Sequence, residues 1–147
     1  MIRSGTIEDA PRITEMLRDM KSDSRYTEDE FCEDTVLDVI KLCISHNLLS
    51  VLVVDDIVQG FAGGIEGTML FNRNIKTGTE LSWWVDYDHR NEGNGIELLT
   101  HIEGLARDKG ITHWSMVYQL ASMPEVVGYI YEKMGYTKNE VVYSRKL

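Results

Sequence analysis

A strand, a glycine-containing turn and a long helix follow one another in the middle of the chain, and this order restricts the fold more than any other feature. Residues 80–86 read Glu-Leu-Ser-Trp-Trp-Val-Asp, which is rich in residues that strands favour. Apolar residues then recur at helical spacing until Lys109-Gly110, a pair typical of a helix end. Residues 111–118 predict a further strand. Strand, helix and strand in this order predict a parallel crossover.

Weaker patterns on both sides of this unit predict the other elements. We expect a strand at residues 1–7, a helix at 8–21 and a second helix at 27–46, which a capping box at Thr27 opens. A hairpin of strands 48–54 and 57–66 follows, and then a surface loop at 67–78. After the central unit, we expect a helix at 124–133 and a closing strand at 140–146. The prediction is a single α/β domain over residues 1–147. Its sheet is mixed and mostly antiparallel, with a central parallel βαβ crossover and helices on both faces.

Charge and composition exclude several classes of protein. The chain of 147 residues has a net charge of −9, and its scattered basic residues match the phosphates of nucleic acids poorly. The longest apolar run, residues 48–54, is too short to cross a bilayer, so we expect no membrane association. Dispersed histidines and the lack of a Cys-x-x-Cys pair predict no metal site. Cys32 and Cys43 stand too far apart on one predicted helix to form a disulfide, which favours a reducing, cytoplasmic location.

The turn before the central helix has the features of an anion-binding site. Gly93 and Gly95 allow the backbone to approach a bulky pyrophosphate, the helix dipole attracts negative charge, and Arg90 adds a positive charge. A tight turn that needs glycine for its shape alone would also carry these two glycines. The pattern is neither a P-loop nor the dinucleotide fingerprint, because no Gly-Lys-Ser/Thr follows and the third glycine position is occupied by Leu98.

Two separate motifs resemble those of the GNAT superfamily of N-acetyltransferases. Arg90-x-x-Gly93-x-Gly95 is similar to the loop that holds the coenzyme A pyrophosphate in that family, and the preceding residues from Val85 to Arg90 resemble its Val-x-Pro-x-x-Arg run. Residues 130–136, Ile-Tyr-Glu-Lys-Met-Gly-Tyr, resemble its Leu-Tyr-Glu-Lys-x-Gly-Phe signature. The order of elements also agrees, so the resemblance covers nearly the whole chain and implies a GNAT-like fold.

The resemblance implies an acetyl-CoA-dependent N-acetyltransferase that moves the acetyl group directly from the thioester to a primary amine. The acceptor would be a small-molecule amine or a protein amino group, and many members of the family form homodimers. Backbone groups at the end of the central strand would polarise the thioester carbonyl. The residues expected to contact acetyl-CoA are Val85, Asp86, Tyr87, Arg90, Asn91, Glu92, Gly93, Asn94, Gly95 and Ile96.

Two side chains are candidates for the chemistry. The acceptor amine is protonated at neutral pH, and Glu80 is the carboxylate best placed to remove its proton, although a charge at the end of a strand is the plainer interpretation. Tyr131 matches the general acid of the family by position, and core packing is its alternative role. Two residues depart from the family pattern. Glu92 puts a negative charge beside the phosphate site, and Pro124 stands where many members of the family have an asparagine before the last helix. A catalytically degenerate GNAT-like binding or structural module is therefore the alternative function.

Overall fold

The chain folds around a five-stranded sheet, described by a computed structural model for residues 1–90 and 93–147. The strands are β1 (Ile2–Ser4), β2 (Leu49–Val54), β3 (Ile57–Met69), β4 (Asn72–Val85) and β5 (His113–Ser115). The helices are α1 (Ala10–Ser22), α2 (Glu33–Ser45), α3 (Asn94–Asp108) and α4 (Pro124–Lys133), with 3-10 turns at Ile7–Asp9 and Tyr87–His89. No helix in the described part is both long and apolar enough to cross a membrane.

The strands lie in sequence order, and the sheet is mixed. Neighbouring strands from β1 to β4 are antiparallel, whereas β4 and β5 are parallel, with Thr77 opposite His113 and Thr79 opposite Ser115. The parallel pair is joined through α3, as a strand, helix and strand in this order require. The predicted α/β fold class with its parallel crossover is thereby confirmed.

Helices cover both faces of the sheet, because alternate strand residues point to opposite sides. Phe61 and Trp84 belong to a core that α1 and α2 cover, whereas their neighbours Ala62 and Val85 belong to a core that α3 and α4 cover. The first core also contains Ile13, Met16, Ile40, Val51 and Val58, and the second Leu52, Leu98, Leu99, Ile102 and Tyr131. The central strands are therefore buried from both sides.

Two predicted elements have other boundaries or another structure. The predicted loop at residues 67–78 instead forms the ends of two long strands, with Gly67 opposite Thr77 and Thr68 opposite Lys76. Pairing between the two strands outweighs the weak strand preference of their turn-forming residues. The predicted capping box at Thr27 does not open α2, which begins at Glu33. The Thr27 carbonyl instead accepts a hydrogen bond of 2.8 Å from the Lys21 ammonium.

The C-terminal part of the predicted sheet is shorter than expected. β5 occupies three residues rather than 111–118, and residues 140–146, predicted as a closing strand, do not form one. Val141 and Tyr143 of this segment are largely exposed. A strand of three residues offers few backbone groups for a further strand to pair with, which accounts for the missing element.

Gly64 is required by close packing, and its replacement should destabilise the fold. A Cβ atom there would lie 2.5 Å from the Trp114 ring and 2.8 Å from the backbone oxygen of Thr79. We expect Gly64→Ala to lower the free energy of unfolding by about 1–3 kcal/mol, as overpacking does. Gly104→Ala is the matched control: a Cβ meets nothing within 4 Å on α3, so alanine should stabilise by about 0.5–1 kcal/mol. Urea unfolding of both variants checks the contrast.

Candidate active site

A group of polar and aromatic side chains meets where β4 and β5 stop pairing. Their last opposed residues are Thr79 and Ser115, after which β5 ends and β4 continues to Val85. Glu80, from β4, and Tyr131, from α4, both hydrogen-bond there to the backbone of Val117, Glu80 to its N–H and Tyr131 to its carbonyl. The sheet therefore opens at this point, and buried side chains bridge the opening.

A β-bulge in β4 shapes this group. Ser82 lies opposite Gly63 and Glu80 opposite Gly64, so that Leu81 is an extra residue on β4. In a regular strand, residues three positions apart point to opposite faces. The extra residue changes this alternation, and Glu80 and Trp83 both reach the group around Tyr131.

Glu80 is a buried carboxyl group with a raised pKa. Its side chain is 5% exposed, and its Oε2 atom accepts a hydrogen bond of 3.2 Å from the backbone N–H of Val117. Burial raises the pKa of Glu80 to about 7, against the lowering effect of the Val117 hydrogen bond. The carboxyl group is thus poised to exchange a proton at neutral pH, which suits a general base.

Tyr131 is a buried phenol whose oxygen makes two hydrogen bonds. Its hydroxyl donates to the Val117 carbonyl at 2.7 Å and accepts from the indole N–H of Trp83 at 2.8 Å. Burial, followed by the charge of Glu80, raises the pKa of Tyr131 well above its ordinary value, and the Trp83 hydrogen bond opposes this rise. The phenol therefore carries its proton at neutral pH. Tyr129, two residues earlier, is 65% exposed.

The N-terminus of α3 presents backbone that an anion could approach. Gly93 is the N-cap, its φ of 74° lies in the left-handed region, and a Cβ atom there would meet nothing within 4 Å. Gly95 and Ile96 follow in the first turn of a 15-residue helix, where N–H groups lack partners within the helix. Asn94 donates from its side chain to the His89 carbonyl at 3.1 Å. These residues fit a pyrophosphate; Asn91 and Glu92 lie outside the described residues.

Arg90 packs against aromatic rings beside this turn. Its Nε donates to the Val85 carbonyl at 2.7 Å, and its guanidinium carbon lies 3.9 Å from the ring centre of Tyr87 and 4.2 Å from that of Trp84. The side chain also lines a cleft of about 470 Å³ between the end of α1 and the segment before α4. Its charge is thus held at the edge of this cleft.

The backbone N–H groups at the end of β4 differ in whether they point into the opening between β4 and β5. The N–H of Asp86 donates to the Gln59 carbonyl at 2.9 Å, so it does not point into the opening. Because successive strand residues direct backbone groups to opposite sides, the N–H of Val85 points away from β3, towards the opening. The Asp86 carboxylate accepts hydrogen bonds from Arg12 and the Trp84 indole, and the Tyr87 hydroxyl donates to Asp23. The N–H of Val85 is therefore placed to meet a thioester oxygen, whereas the N–H of Asp86 is bonded to Gln59.

The sequence patterns above identify neither the backbone of Val117 nor the hydrogen bond of Trp83 as parts of the site. No side-chain pattern could have found Val117, because it acts through its backbone N–H and carbonyl. The contact of Trp83 with Tyr131 depends on the bulge at Leu81. Both features arise from strand geometry and not from residue type.

A buried carboxyl group and a buried phenol thus lie near a glycine-bounded helix N-terminus in a mixed sheet with a parallel crossover. The model of the Acetyltransferase (GNAT) family matches residues 11–136. The chain therefore belongs to the GNAT acetyltransferase family, as its two motifs imply. No curated protein matches the sequence.

Solved structures share the fold at low sequence identity. A predicted acetyltransferase with acetyl-CoA from Clostridium acetobutylicum has a TM-score of 0.79 at 12% identity, over 99% of this chain and 95% of that one. A ribosomal-protein-alanine N-acetyltransferase from Brucella melitensis has a TM-score of 0.77 at 14% identity, over 100% and 99%. An aminoglycoside acetyltransferase from a soil metagenome, in complex with sisomicin, has a TM-score of 0.73 at 12% identity, over 100% and 95%.

Proposed function

We propose that this protein is an acetyl-CoA-dependent N-acetyltransferase that transfers the acetyl group directly to a primary amine. The observation that carries the proposal is that Glu80 and Tyr131 both bond the backbone of Val117, through its N–H and its carbonyl, at the point where β4 and β5 part. Direct transfer needs one group that takes a proton from the amine and another that gives a proton to sulfur. Burial raises the pKa of Glu80 to about 7, so part of this carboxyl group is ionised at neutral pH, and it raises the pKa of Tyr131, which keeps the phenol protonated.

Glu80 is the proposed general base. The acceptor amine must lose a proton before its nitrogen can attack, because an alkylammonium has a pKa near ~10 and no free electron pair. A carboxylate with a pKa of about 7 is largely ionised just above neutrality and accepts this proton better than an ordinary carboxylate. The Val117 N–H fixes the direction of the carboxylate.

Tyr131 is the proposed general acid, and the backbone N–H of Val85 is the proposed donor to the thioester oxygen. The nitrogen–carbon bond forms as the carbon–sulfur bond breaks, and the sulfur takes the phenol proton. Charge that develops on the carbonyl oxygen is stabilised by a donor already fixed by the strand. No acyl-enzyme is needed in this scheme.

Acetyl-CoA would supply the activated acetyl group, and the turn before α3 would hold its pyrophosphate. Gly93, Asn94, Gly95 and Ile96 offer the helix N-terminus, and Arg90 contributes positive charge from the edge of the cleft. Asn91 and Glu92 remain predicted contacts of the same turn. The relative crystallised with acetyl-CoA supports this choice of donor.

The acceptor, the location and the assembly complete the proposal. A small-molecule amine or a protein amino group is the proposed acceptor class, supported by the aminoglycoside and ribosomal-protein acetyltransferases among the structural neighbours. The free cysteines Cys32 and Cys43 support a reducing, cytoplasmic location. Residues 1–147 form the proposed acetyltransferase domain, and a homodimer, which sedimentation analysis would test, is the proposed assembly.

Acetyl-CoA should raise the thermal unfolding midpoint. At 100 times the dissociation constant, a ligand that binds only the folded state stabilises it by about 2.7 kcal/mol, which is several degrees for a domain of this size. Gly93→Leu should abolish this shift, because it strains the left-handed N-cap and fills the open space before α3. Differential scanning fluorimetry with and without acetyl-CoA measures the effect.

Gly110→Leu is the matched control for the loop variant. Gly110 also has a left-handed φ, 79°, and open space around its Cα, but it lies just beyond the other end of α3. It should lower the midpoint about as much as Gly93→Leu and keep the acetyl-CoA shift. Binding without turnover across a broad panel of amines would support the alternative of a degenerate binding module; absence of any shift would contradict the cofactor assignment.

A further inference from the structure

Trp83 connects the proposed proton donor to the turn that precedes α3. Its indole N–H donates to the Tyr131 hydroxyl at 2.8 Å, and the two ring centres lie 6.4 Å apart. The other edge of the same indole faces Gly95, where a Cβ atom would lie 3.2 Å from Cζ3. An alanine there would press on this edge of the ring, so the first turn of α3 lies in close contact with Trp83.

The direction of the indole hydrogen bond decides where the phenol proton can point. A phenol oxygen has one proton and accepts through its lone pairs. Because Trp83 can only donate, the Tyr131 proton must point elsewhere, and it points to the Val117 carbonyl at 2.7 Å. We infer that Trp83 is a positioning residue for acetyl transfer, which orients the Tyr131 hydroxyl and stabilises the phenolate that remains after proton transfer. This inference rests on the proposed function.

The balance of the reaction shows why this hydrogen bond matters. The amine nitrogen bonds to the carbonyl carbon, the carbon–sulfur bond breaks, and its electron pair stays on sulfur. The Tyr131 proton turns from the Val117 carbonyl to the sulfur, which takes it and leaves a phenolate still bonded to the Trp83 N–H, while Glu80 holds the proton that the amine has lost. Water then returns a proton to Tyr131 and takes one from Glu80. A hydrogen bond to the charged phenolate is stronger than one to the neutral phenol. Trp83 therefore stabilises Tyr131 more after it has given up its proton than before.

Trp83→Phe removes the donor and keeps an aromatic ring in the gap. Loss of a hydrogen bond to a charged group should lower kcat roughly 10- to 100-fold, with little change in KM for acetyl-CoA. Trp114→Phe is the control, because the Trp114 indole N–H donates to the Met116 sulfur at 3.0 Å and not to the site. It removes no hydrogen bond to Tyr131 or Glu80, so kcat should stay within a factor of about two to three of the wild type, whatever the change in packing does to stability.

A double-mutant cycle separates a positioning role from a structural one. If Trp83 acts through the Tyr131 hydroxyl, Trp83→Phe should cause no further loss of kcat in a Tyr131→Phe background. Losses that multiply in the double variant would overturn the inference, because they show that the indole acts independently of the hydroxyl. A wild-type protein with no turnover on any amine would instead contradict the proposed function, and the inference with it.

A spectroscopic measurement tests the contact even where Trp83→Phe fails to fold. The indole N–H resonance of Trp83 in a 15N-labelled protein should move when Tyr131→Phe removes the acceptor, while the resonance of Trp114 stays in place. An unchanged Trp83 resonance would overturn the inference without reference to turnover. Gly95→Ala places a Cβ atom against Cζ3 of the ring. In a protein that retains Trp83, this variant should shift the same resonance and lower kcat.

Discussion

Glu80→Gln should give an enzyme that is more stable and nearly inactive. Removal of the proposed general base is expected to lower kcat by about 10²–10⁴ at neutral pH. Wild-type kcat/KM, compared at a fixed concentration of neutral amine, should rise with pH through about 7 as Glu80 loses its proton, and the variant should lack this rise. Steady-state rates of coenzyme A release across pH measure both effects.

The stability effect of Glu80→Gln follows from the raised pKa of the carboxyl group. The folded protein keeps this proton up to about pH 7, whereas an ordinary carboxyl group loses it near 4.5. Between these values the folded state binds more protons, so rising pH destabilises it, and above pH 7 the full cost is of the order of 3 kcal/mol. The variant avoids this cost. Its advantage should be absent below pH 4.5, grow up to pH 7 and then stay constant.

Glu66→Gln is the control for Glu80→Gln. Glu66 lies on the neighbouring strand β3, away from the site, and its Oε2 is 3.3 Å from the Lys109 ammonium. Its replacement should reduce stability slightly and leave activity intact, since partly exposed ion pairs contribute at most about 1 kcal/mol. If Glu80→Gln kept full activity, the base would lie elsewhere; if it also failed to stabilise, the burial argument for its pKa would be wrong.

The sequence predicts the parts of this fold that depend on local residue patterns. α4 has the predicted bounds, Pro124–Lys133, because proline fits its first turn and a glycine follows its end. The hairpin turn at Asp55-Asp56 also forms, with φ of 49° and 61°, which acidic residues tolerate better than most. In both elements the short-range signals and the tertiary structure favour the same conformation.

Elements that depend on pairing between distant segments could not be predicted from local patterns. The arms of the β3–β4 hairpin carry turn-forming residues and yet pair from Met69 to Gly60, because each supplies the other's hydrogen-bond partners. The same limit applies to the site. Its two candidate side chains, Glu80 and Tyr131, are found by motif and position, but their connection through Val117 exists only once β4 bulges and β5 ends.

Tyr131→Phe should abolish most turnover while acetyl-CoA still binds. Loss of the proton donor leaves a thiolate as the leaving group, and kcat is expected to fall by about 10²–10⁴. The phenylalanine also leaves the Trp83 N–H and the Val117 carbonyl without a buried partner, at a cost of about 1–3 kcal/mol in stability. Coenzyme A release and the acetyl-CoA thermal shift, measured on the same preparation, distinguish lost chemistry from lost binding.

Tyr136→Phe shows whether such a loss belongs to the hydroxyl of Tyr131 or to packing around it. The Tyr136 ring centre lies 5.7 Å from that of Tyr131, and its hydroxyl donates to Glu103 at 2.5 Å, away from Val117. Both variants lose one hydrogen-bonded hydroxyl from the same aromatic group, so losses of stability of the same order are expected. Only Tyr131→Phe should lose turnover, because of these two phenols it is Tyr131 that bonds the backbone of Val117, the residue whose N–H also holds Glu80. Equal activity in the two variants would assign Tyr131 to packing and leave the leaving group to be protonated by water.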